Sequence, residues 1–484
     1  MQLPDSTGKP PTMHSQFIHQ LERLLGRDQV LVSREDRLTY AYDASGERCL
    51  PEAVVFPENV AQVSQILSLA DTHRMAVVPR GAGSGLTGGS VPLGGGLVLA
   101  MDRLNRILTV DTDNRQAIVE PGVVTASLHA AVEARGLFYP PDPASMAFCT
   151  IGGNIAENAG GMHAVKYGVT KDFVMGLQVV LANGEIIHTG SRCIKDVVGY
   201  DLTRLFVGSE GTLGVITRAI LKLLPLPEAR QTLLAAFDTL DRAVQTIAGI
   251  FRQGIIPTTL EYMDRHCIRA VVRFQECGLP TDAGAALLIE VDGRPSEIET
   301  DLQRIKAVCE SHGVLSVQVA REKADQEALW QSRRAIHAAL SQLRPKWEEE
   351  DIAVPIACIP EMVRRLEKIG RELAVLIVSF GHAGDGNIHV NIAPQKENSP
   401  SRNLHQAREE ILKAAIALDG RIAAEHGIGL VKRDKIGWNL DAPTLTLMQH
   451  LKGLLDPNCI LNPGKIFPST QACGKNEKQG KGKS

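Results

Sequence analysis

The run Arg80-Gly81-Ala82-Gly83-Ser84-Gly85-Leu86-Thr87-Gly88-Gly89-Ser90-Val91-Pro92-Leu93-Gly94-Gly95-Gly96 constrains this chain more than any other stretch. It follows Met75-Ala76-Val77-Val78-Pro79, an apolar run of strand length, and contains a literal GxGxxG at Gly83, Gly85 and Gly88. A Rossmann-type nucleotide fold needs such glycines to open a helix directly after the strand. Here they continue into more glycines and Pro92, a sequence too costly to keep helical. A glycine run without a helix can still hold phosphates. Successive backbone N–H groups form an anion-binding nest, and missing Cβ atoms allow close approach. Arg80, at the mouth of the run, adds charge. A plain surface loop is the simpler reading, but the 44 glycines of the chain are clustered well beyond ordinary usage.

Two further clusters follow. Tyr139-Pro140-Pro141-Asp142-Pro143-Ala144-Ser145 leads into the segment Thr150 to Gly161, and Phe206 to Ile216 carries Gly208, Gly211 and Gly214. Three small-residue loops within roughly 180 residues suggest one extended ligand wrapped by backbone. Around them, Pro51–Pro57 reads as a strand, 59–73 as a helix with Val60, Val63, Ile66, Leu67 and Ala70 in register, and Met75–Pro79 as the next strand. Val174–Leu181 and Ile186–His188 form a strand and its return across Ala182-Asn183-Gly184-Glu185. This is an α+β domain. Residues 1–50 form a tail and a helical segment, with an amphipathic helix from Ser15 to Leu25. After Pro225-Leu226-Pro227, strands such as Ala285–Val291 alternate with helices such as Ile298–His312. A second α+β unit is expected over 228–467, followed by a polar, disordered tail over 468–484.

Within that second unit, Leu373–Val378 reads as a buried strand and Ile388–Ile392 as another. His382-Ala383-Gly384-Asp385-Gly386-Asn387-Ile388-His389 lies between and across them. Odd spacing along one strand sends side chains to opposite faces, so a loop that wraps back is expected to aim both imidazoles at one point. Glu425 and His426 follow in a second glycine-bounded motif. Two imidazoles and a carboxylate from these motifs make a three-ligand set for a divalent ion, with zinc, iron(II) and manganese equally compatible. The competing reading is an ordinary Asp-Gly hairpin with unrelated histidines.

The bulk properties exclude other classes. A net charge of −3 provides no nucleic-acid surface, and no apolar run has the length of a membrane span. The N-terminus lacks the pattern of a signal or import peptide. Nine cysteines without a CxxC pair argue against a disulfide framework or an iron–sulfur cluster held by this chain. A cytoplasmic location is expected, with attachment at the inner face of a membrane only through a partner.

Taken together, Pro79–Gly85, Gly88–Pro92, Thr150–Gly161, Gly199-Tyr200-Asp201-Leu202, Gly208–Gly214, the HxGDGNxH run, Glu425-His426 and Leu461-Asn462-Pro463-Gly464-Lys465 resemble one family. It is the FAD-linked D-2-hydroxy-acid dehydrogenases: the glycolate oxidase D subunit, D-lactate dehydrogenase and D-2-hydroxyglutarate dehydrogenase group. The resemblance covers about residues 15–467. It implies a vanillyl-alcohol-oxidase (PCMH)-type FAD-binding domain over 51–227, an α+β substrate or cap domain, and a C-terminal helical segment that contacts the flavin. It implies FAD contacts from Arg80, Gly81, Ala82, Gly83, Ser84, Gly85, Leu86, Gly88 and Gly89 in the first cluster. Pro143, Ser145, Thr150, Gly153, Asn154, Asn158, Gly160 and Gly161 follow in the second. Glu210, Gly214 and Ile216 come from the third, with Asn387 and Asn462 beyond. The first loop has no histidine, so the FAD is expected to be non-covalent.

The resemblance also implies roles around the flavin: His382, His389 and Glu425 hold the divalent ion. His426 takes the hydroxyl proton. Arg333, three residues after Trp330, binds the substrate carboxylate. Hydroxyglutarate enzymes carry a lysine two residues before the aspartate that stands here as Asp351. This chain has Glu349 at that position, which favours a short acid, D-lactate or glycolate. Ile356 replaces the arginine many relatives carry after the proline. With no nicotinamide site visible, the expected electron acceptor is a protein, an iron–sulfur subunit or electron-transfer flavoprotein, or a quinone-linked partner, in a homodimer or hetero-complex. The alternatives are the hydroxy-acid-oxidising subunit of an electron-bifurcating complex, a flavin-binding subunit with a dead substrate site, and a non-redox metal protein or metallohydrolase.

Overall fold

The structure is a computed structural model that describes residues 13–275, 277–344, 347–395 and 401–468. The terminal tails read from the sequence lie outside the described residues, apart from their inner edges. The helix Met13–Leu25 buries Phe17, Leu21 and Leu25, one stripe at a spacing of four. They pack on Val63, Ile66, Leu67 and Ala70 of the helix Val60–His73. That second helix starts where Asn59 accepts the Gln62 N–H, satisfying a donor the first turn cannot pair internally.

Strands Ala53–Val55 and Val77–Arg80 flank Leu97–Ala100 in parallel, and Val30–Leu31 completes this four-stranded sheet. Parallel neighbours usually need a helical crossover. Between Val77–Arg80 and Leu97–Ala100 the connection is the glycine run itself, and it holds no helix. At Gly96 (φ +92) an added Cβ would sit 2.7 Å from the Ala76 carbonyl, so only glycine lets the run return to the sheet there. A second, antiparallel sheet has the order Ile107–Asp111, Gln116–Val119, Val215–Lys222, Val174–Val180, Ile186–Gly190.

The second glycine cluster is not all loop. Ile151–Glu157 is a helix capped by Thr150, with Gly152 and Gly153 in its first turn. A Cβ on Gly152 would lie 2.5 Å from Pro121 Cβ, so close packing outweighs the poor helix propensity of glycine.

Leu137–Phe138 and Leu224–Pro225 pair as a short two-stranded sheet, and the seven other strands form one antiparallel sheet. Its order is Ser316–Ala320, Ala229–Phe237, Ala285–Gly293, Thr259–Asp264, Val375–His382, Asn387–Pro394, Glu348–Ala353. One face is buried under the helices Leu240–Arg252, Pro295–Ser311, Ile359–Glu372 and Ser401–Ile416, through Leu233, Ile247, Leu287, Ile305, Met362 and Ile411. The helices Arg265–Phe274, Lys323–Arg334 and Ile336–Leu343 contribute to a core on the other face with Leu234, Met263, Phe380 and Trp330. After the helix Ala442–Leu455 the chain returns to the first sheet. There Val77 N–H donates to the Ile460 carbonyl, and Asn462 N–H to that of Val77. No helix among the described residues is long and apolar enough to cross a membrane.

Candidate active site

The histidine stretch is a hairpin. Val375–His382 and Asn387–Pro394 pair antiparallel with Phe380 opposite His389, and only Ala383–Gly386 turns. His382 shares a face with Phe380, two residues away, and Phe380 faces His389 across the pair. The odd spacing of seven is therefore corrected by the turn. The expected wrapping loop is a register effect, and the hairpin and the ligand pair are the same object.

Flanking strands add carboxylates by the same rule. Glu261 stands opposite His382, and its Oε1 lies 2.6 Å from His382 Nδ1. Asp351 stands opposite His389, with Oδ1 3.6 Å from Nδ1. Glu425 reaches in from the C-terminal side. His382 Nε2, His389 Nε2 and Glu425 Oε1 then form a triangle with sides of 3.4, 3.5 and 3.6 Å. Donors about 2.0–2.2 Å from one tetrahedral ion lie ~3.4 Å apart, so this set fits a divalent cation. Glu261 on the far nitrogen of His382 fixes the ring orientation, the arrangement an outer carboxylate would supply to a ligating imidazole. Burial lowers the His382 imidazole, and Glu261 and Glu425 outweigh it and raise it well above its ordinary value. His389 is driven well below its own by burial and by His382, which keeps its ring neutral.

Asp351 builds the Glu425-His426 turn. Its Oδ2 accepts the backbone N–H groups of Ala424, Glu425 and His426 at 2.9, 2.9 and 3.1 Å. Its Oδ1 accepts from Asn387 Nδ2 at 2.6 Å. Burial works to raise this carboxyl, but His426, Lys432, His389 and the backbone donors hold it far below the usual range. Glu210 does the same for the next turn, accepting Ile428 N–H at 2.8 Å and Gly429 N–H at 2.7 Å. His426 stacks on His389, ring centroids 5.5 Å apart, and opens on the large cleft.

That cleft, about 1380 Å³ counting its open mouth, runs between the three glycine clusters and ends at Glu425 and His426. Its wall includes Arg80 to Leu86, Gly89, Pro143, Ser145, Thr150, Gly153, Asn154, Gly160, Glu210, Gly214, Ile216 and Asn462. Its lining of glycine, small side chains and backbone suits a long flat ligand, and at Gly85 nothing lies within 4 Å of an added Cβ. Four other expected residues are not on the wall. Gly88 lies under Leu430, and Gly161 under Asp142. Asn158 is the left-handed cap of the helix Ile151–Glu157, with its amide oxygen on Lys171 N–H. Asn387 spends its amide on Asp351 and the Ile352 carbonyl. Arg80 lines the cleft, yet its Nη1 donates to the Tyr42 carbonyl at 2.8 Å.

Residues 51–190 match the FAD binding domain family, and residues 226–466 match the family of FAD linked oxidases, C-terminal domain. The chain is 46% identical to the glycolate oxidase subunit GlcD of Bacillus subtilis (strain 168), over 93% of this chain and 96% of that one. The chain belongs to the FAD-linked oxidase family. It is also 34% identical to a D-lactate dehydrogenase of Anaerostipes hadrus, over 90% of this chain and 94% of that one. Among solved structures, p-cresol methylhydroxylase with substrate bound superposes with a TM-score of 0.78 at 16% identity, covering 96% of this chain and 98% of that one. Alkyldihydroxyacetonephosphate synthase gives 0.74 at 19% identity, over 96% and 88%. These two establish the fold, the PCMH type that the family resemblance implied.

In this FAD-linked oxidase one supporting residue escapes sequence reasoning. Glu261 sits in an ordinary strand, Thr259–Asp264, with no motif around it. Arg333 is buried and donates from Nε and Nη2 to Glu261 Oε2, both at 2.7 Å. It therefore buttresses the His382 support, with its guanidinium over the Phe380 ring.

Proposed function

We propose that this FAD-linked oxidase converts a D-2-hydroxy acid, D-lactate or glycolate, to its 2-oxo acid. The observation that carries the reading is the three-donor triangle beside His426 at the end of the glycine-lined cleft. The names of relatives at 34–46% identity point the same way. FAD in the cleft would supply the two-electron acceptor, taking hydride from the substrate Cα at N5. A divalent ion on His382, His389 and Glu425 would act as a Lewis acid on the substrate hydroxyl.

The protein's own residues do the rest. His426 takes the hydroxyl proton, an imidazole task near neutral pH. Asp351 fixes the backbone that carries His426. Arg333 keeps N–H groups beyond those held by Glu261, and offers them to the substrate carboxylate. The His382 and His389 rings are locked by Glu261 and Phe380, so the site is preorganised rather than assembled by the substrate. Residues 51–227 serve as the flavin unit and 228–467 as the substrate unit.

Electrons then leave to a protein or quinone acceptor, with an iron–sulfur subunit or electron-transfer flavoprotein as partner. Consistent with a protein partner, Ile194, Val197, Val198 and Tyr200 project from one loop at 85–95% exposure. The same loop favours the second reading, in which this chain is the hydroxy-acid-oxidising subunit of an iron–sulfur or electron-bifurcating complex.

The test is anaerobic mixing of the yellow protein with a panel of D- and L-2-hydroxy acids, with and without a chelator. Bleaching by a D-acid or glycolate that the chelator prevents is expected. Yellow protein that no 2-hydroxy acid bleaches overturns the reading.

A further inference from the structure

The strand Val375–His382 runs past the end of its neighbour. Thr259–Asp264 pairs with it only from Phe380 to His382, and the chain then turns into the helix Arg265–Phe274. The next strands out stop at the same level, where Asp264 faces Ala285 and Ala285 faces Phe237. Val375 to Val378 therefore overhang, paired with Asn387–Pro394 on one side only. Alternate residues of an antiparallel strand turn N–H and C=O to opposite sides. Ser379 sets the phase: its N–H points away from Asn387–Pro394 and donates to Asp264 Oδ2 at 2.7 Å. Pro394, which has no N–H, stands opposite Val375 and agrees with that phase. By the same alternation Ile377 directs its N–H and C=O outward, and among the described residues nothing pairs with them. An interior strand normally has both edges paired.

This free edge borders a cavity of about 1450 Å³, counting its open mouth, that is separate from the flavin cleft. The helix Ile359–Glu372 supplies Val363 and Leu366 from one face of the sheet, and the start of the helix Arg265–Phe274 supplies Arg265 and His266 from the other. Asp238 and Gly284, just beyond the ends of the neighbouring strands, complete the lining, and Asp238 Oδ1 is buried without a hydrogen-bond partner. The outward main-chain groups recur at every second residue, about 6.8 Å along a strand. An extended chain presents donors and acceptors at the same repeat; a small molecule does not. A second copy cannot offer its own overhang, which is equally recessed among helices.

We propose that the overhang Val375–Val378 is a docking edge for an extended segment of a partner protein, which adds to the sheet as a strand. Charge narrows the sequence of that segment. Glu367 pairs with Arg371 at 4.0 Å and Asp238 with Arg242 at 2.9 Å, whereas Arg265 has only the Asp238 carbonyl at 3.4 Å. The segment therefore alternates apolar residues, toward Val363 and Leu366, with acidic ones, toward Arg265 and His266. Docking here is independent of which acid the active site oxidises.

The experiment uses the flavin-loaded protein, a capped fluorescent Val-Glu-Val-Glu-Val peptide as probe, and amide hydrogen exchange read at single residues. Without peptide, the Ile377 amide should exchange at least about tenfold faster than that of Val378, which faces Asn391 in the ladder. Saturating peptide should slow Ile377 at least about tenfold. The same peptide N-methylated at alternate residues should bind at least about fivefold more weakly, the worth of two neutral hydrogen bonds, and Val-Lys-Val-Lys-Val should also bind more weakly. Ile377→Pro removes an N–H that pairs with nothing, a position where strand edges tolerate proline. That variant should keep its full flavin content and lose the peptide; if it does not fold, the N-methylated peptide decides. An Ile377 amide already protected in the free protein, as monomer or as a dimer of this chain, overturns the proposal. So does a peptide that fails to slow Ile377 at about 1 mM, or an N-methylated form that binds equally well.

Discussion

Replacing Asp351 by Asn tests whether one buried charge organises the site. The change is isosteric, so packing is preserved. In the native protein Oδ2 accepts three backbone N–H groups and Oδ1 accepts the Asn387 amide. Hydrogen bonds to a charged group are worth about 1.5–3 kcal/mol and neutral ones about 0.5–1.5. Neutralising the acceptor thus costs ~1 kcal/mol for each of the three backbone bonds. The new NH₂ must also face the Asn387 NH₂, which loses one more bond, ~1 kcal/mol. Asn387 cannot turn to meet it without giving up the Ile352 carbonyl. The total is about 4 kcal/mol; at about 2.1 cal/mol/K of unfolding entropy per residue, a chain of 484 residues loses roughly 4 °C in Tm. Thermal melting of the flavin-loaded protein at neutral pH measures it. Stopped-flow flavin reduction should slow in parallel, because Glu425 and His426 hang from the same three N–H groups. A variant that melts within about 1 °C of wild type, a shift worth ~1 kcal/mol or less, and reduces its flavin at the native rate would refute the reasoning.

Other outcomes follow from the same geometry. His426→Ala should leave FAD bound and slow flavin reduction by about 10²–10⁴-fold, the usual contribution of a positioned base; unimpaired stopped-flow reduction would remove His426 from that role. Glu261→Gln should weaken divalent-ion binding about 10- to 100-fold, read by competition with a chromogenic chelator, since it loosens the support of His382. Glu261 also sets an acid limit. Burial would raise its carboxyl, but His382 and Arg333 outweigh that and hold it at about 2, below the ordinary 4.5. A carboxyl lowered on folding stabilises fully above its unfolded value and loses that stability as pH falls from about 4.5 to about 2. Melting curves taken down through this window should fall less steeply for Glu261→Gln than for wild type. Gly81→Ala would place a Cβ 2.2 Å from Thr150 Oγ1, the cap of the cleft helix, so the purified variant should show a lower flavin-to-protein absorbance ratio; full flavin occupancy would show that the two loops can separate.

Much of the architecture was legible from local pattern. Val60–His73 announces itself by apolar spacing and its Asn59 cap, and Ala285–Gly293 by a continuous apolar run. The helix Ile151–Glu157 was not, because its glycines are there to admit Pro121, a contact that no local signal encodes. Asn387 and Asn158 read as cofactor contacts, yet their side chains serve Asp351, the Ile352 carbonyl and Lys171. Both an internal support and a ligand contact demand a small amide, so the residue type could not separate them.

By itself the sequence determined which groups are present and what chemistry they can perform. The glycine run ruled out a helix after Val77–Arg80, and two imidazoles with one carboxylate offered a donor set suited to a divalent ion. Those statements depend on backbone strain and donor chemistry, which are local. Only the tertiary structure decided which groups meet. Antiparallel register set Glu261 against His382 and Asp351 against His389, across 121 and 38 residues of chain. Register is a property of how the whole sheet buries its faces, so the partners that tune a site can be written anywhere in the sequence, with no motif to mark them.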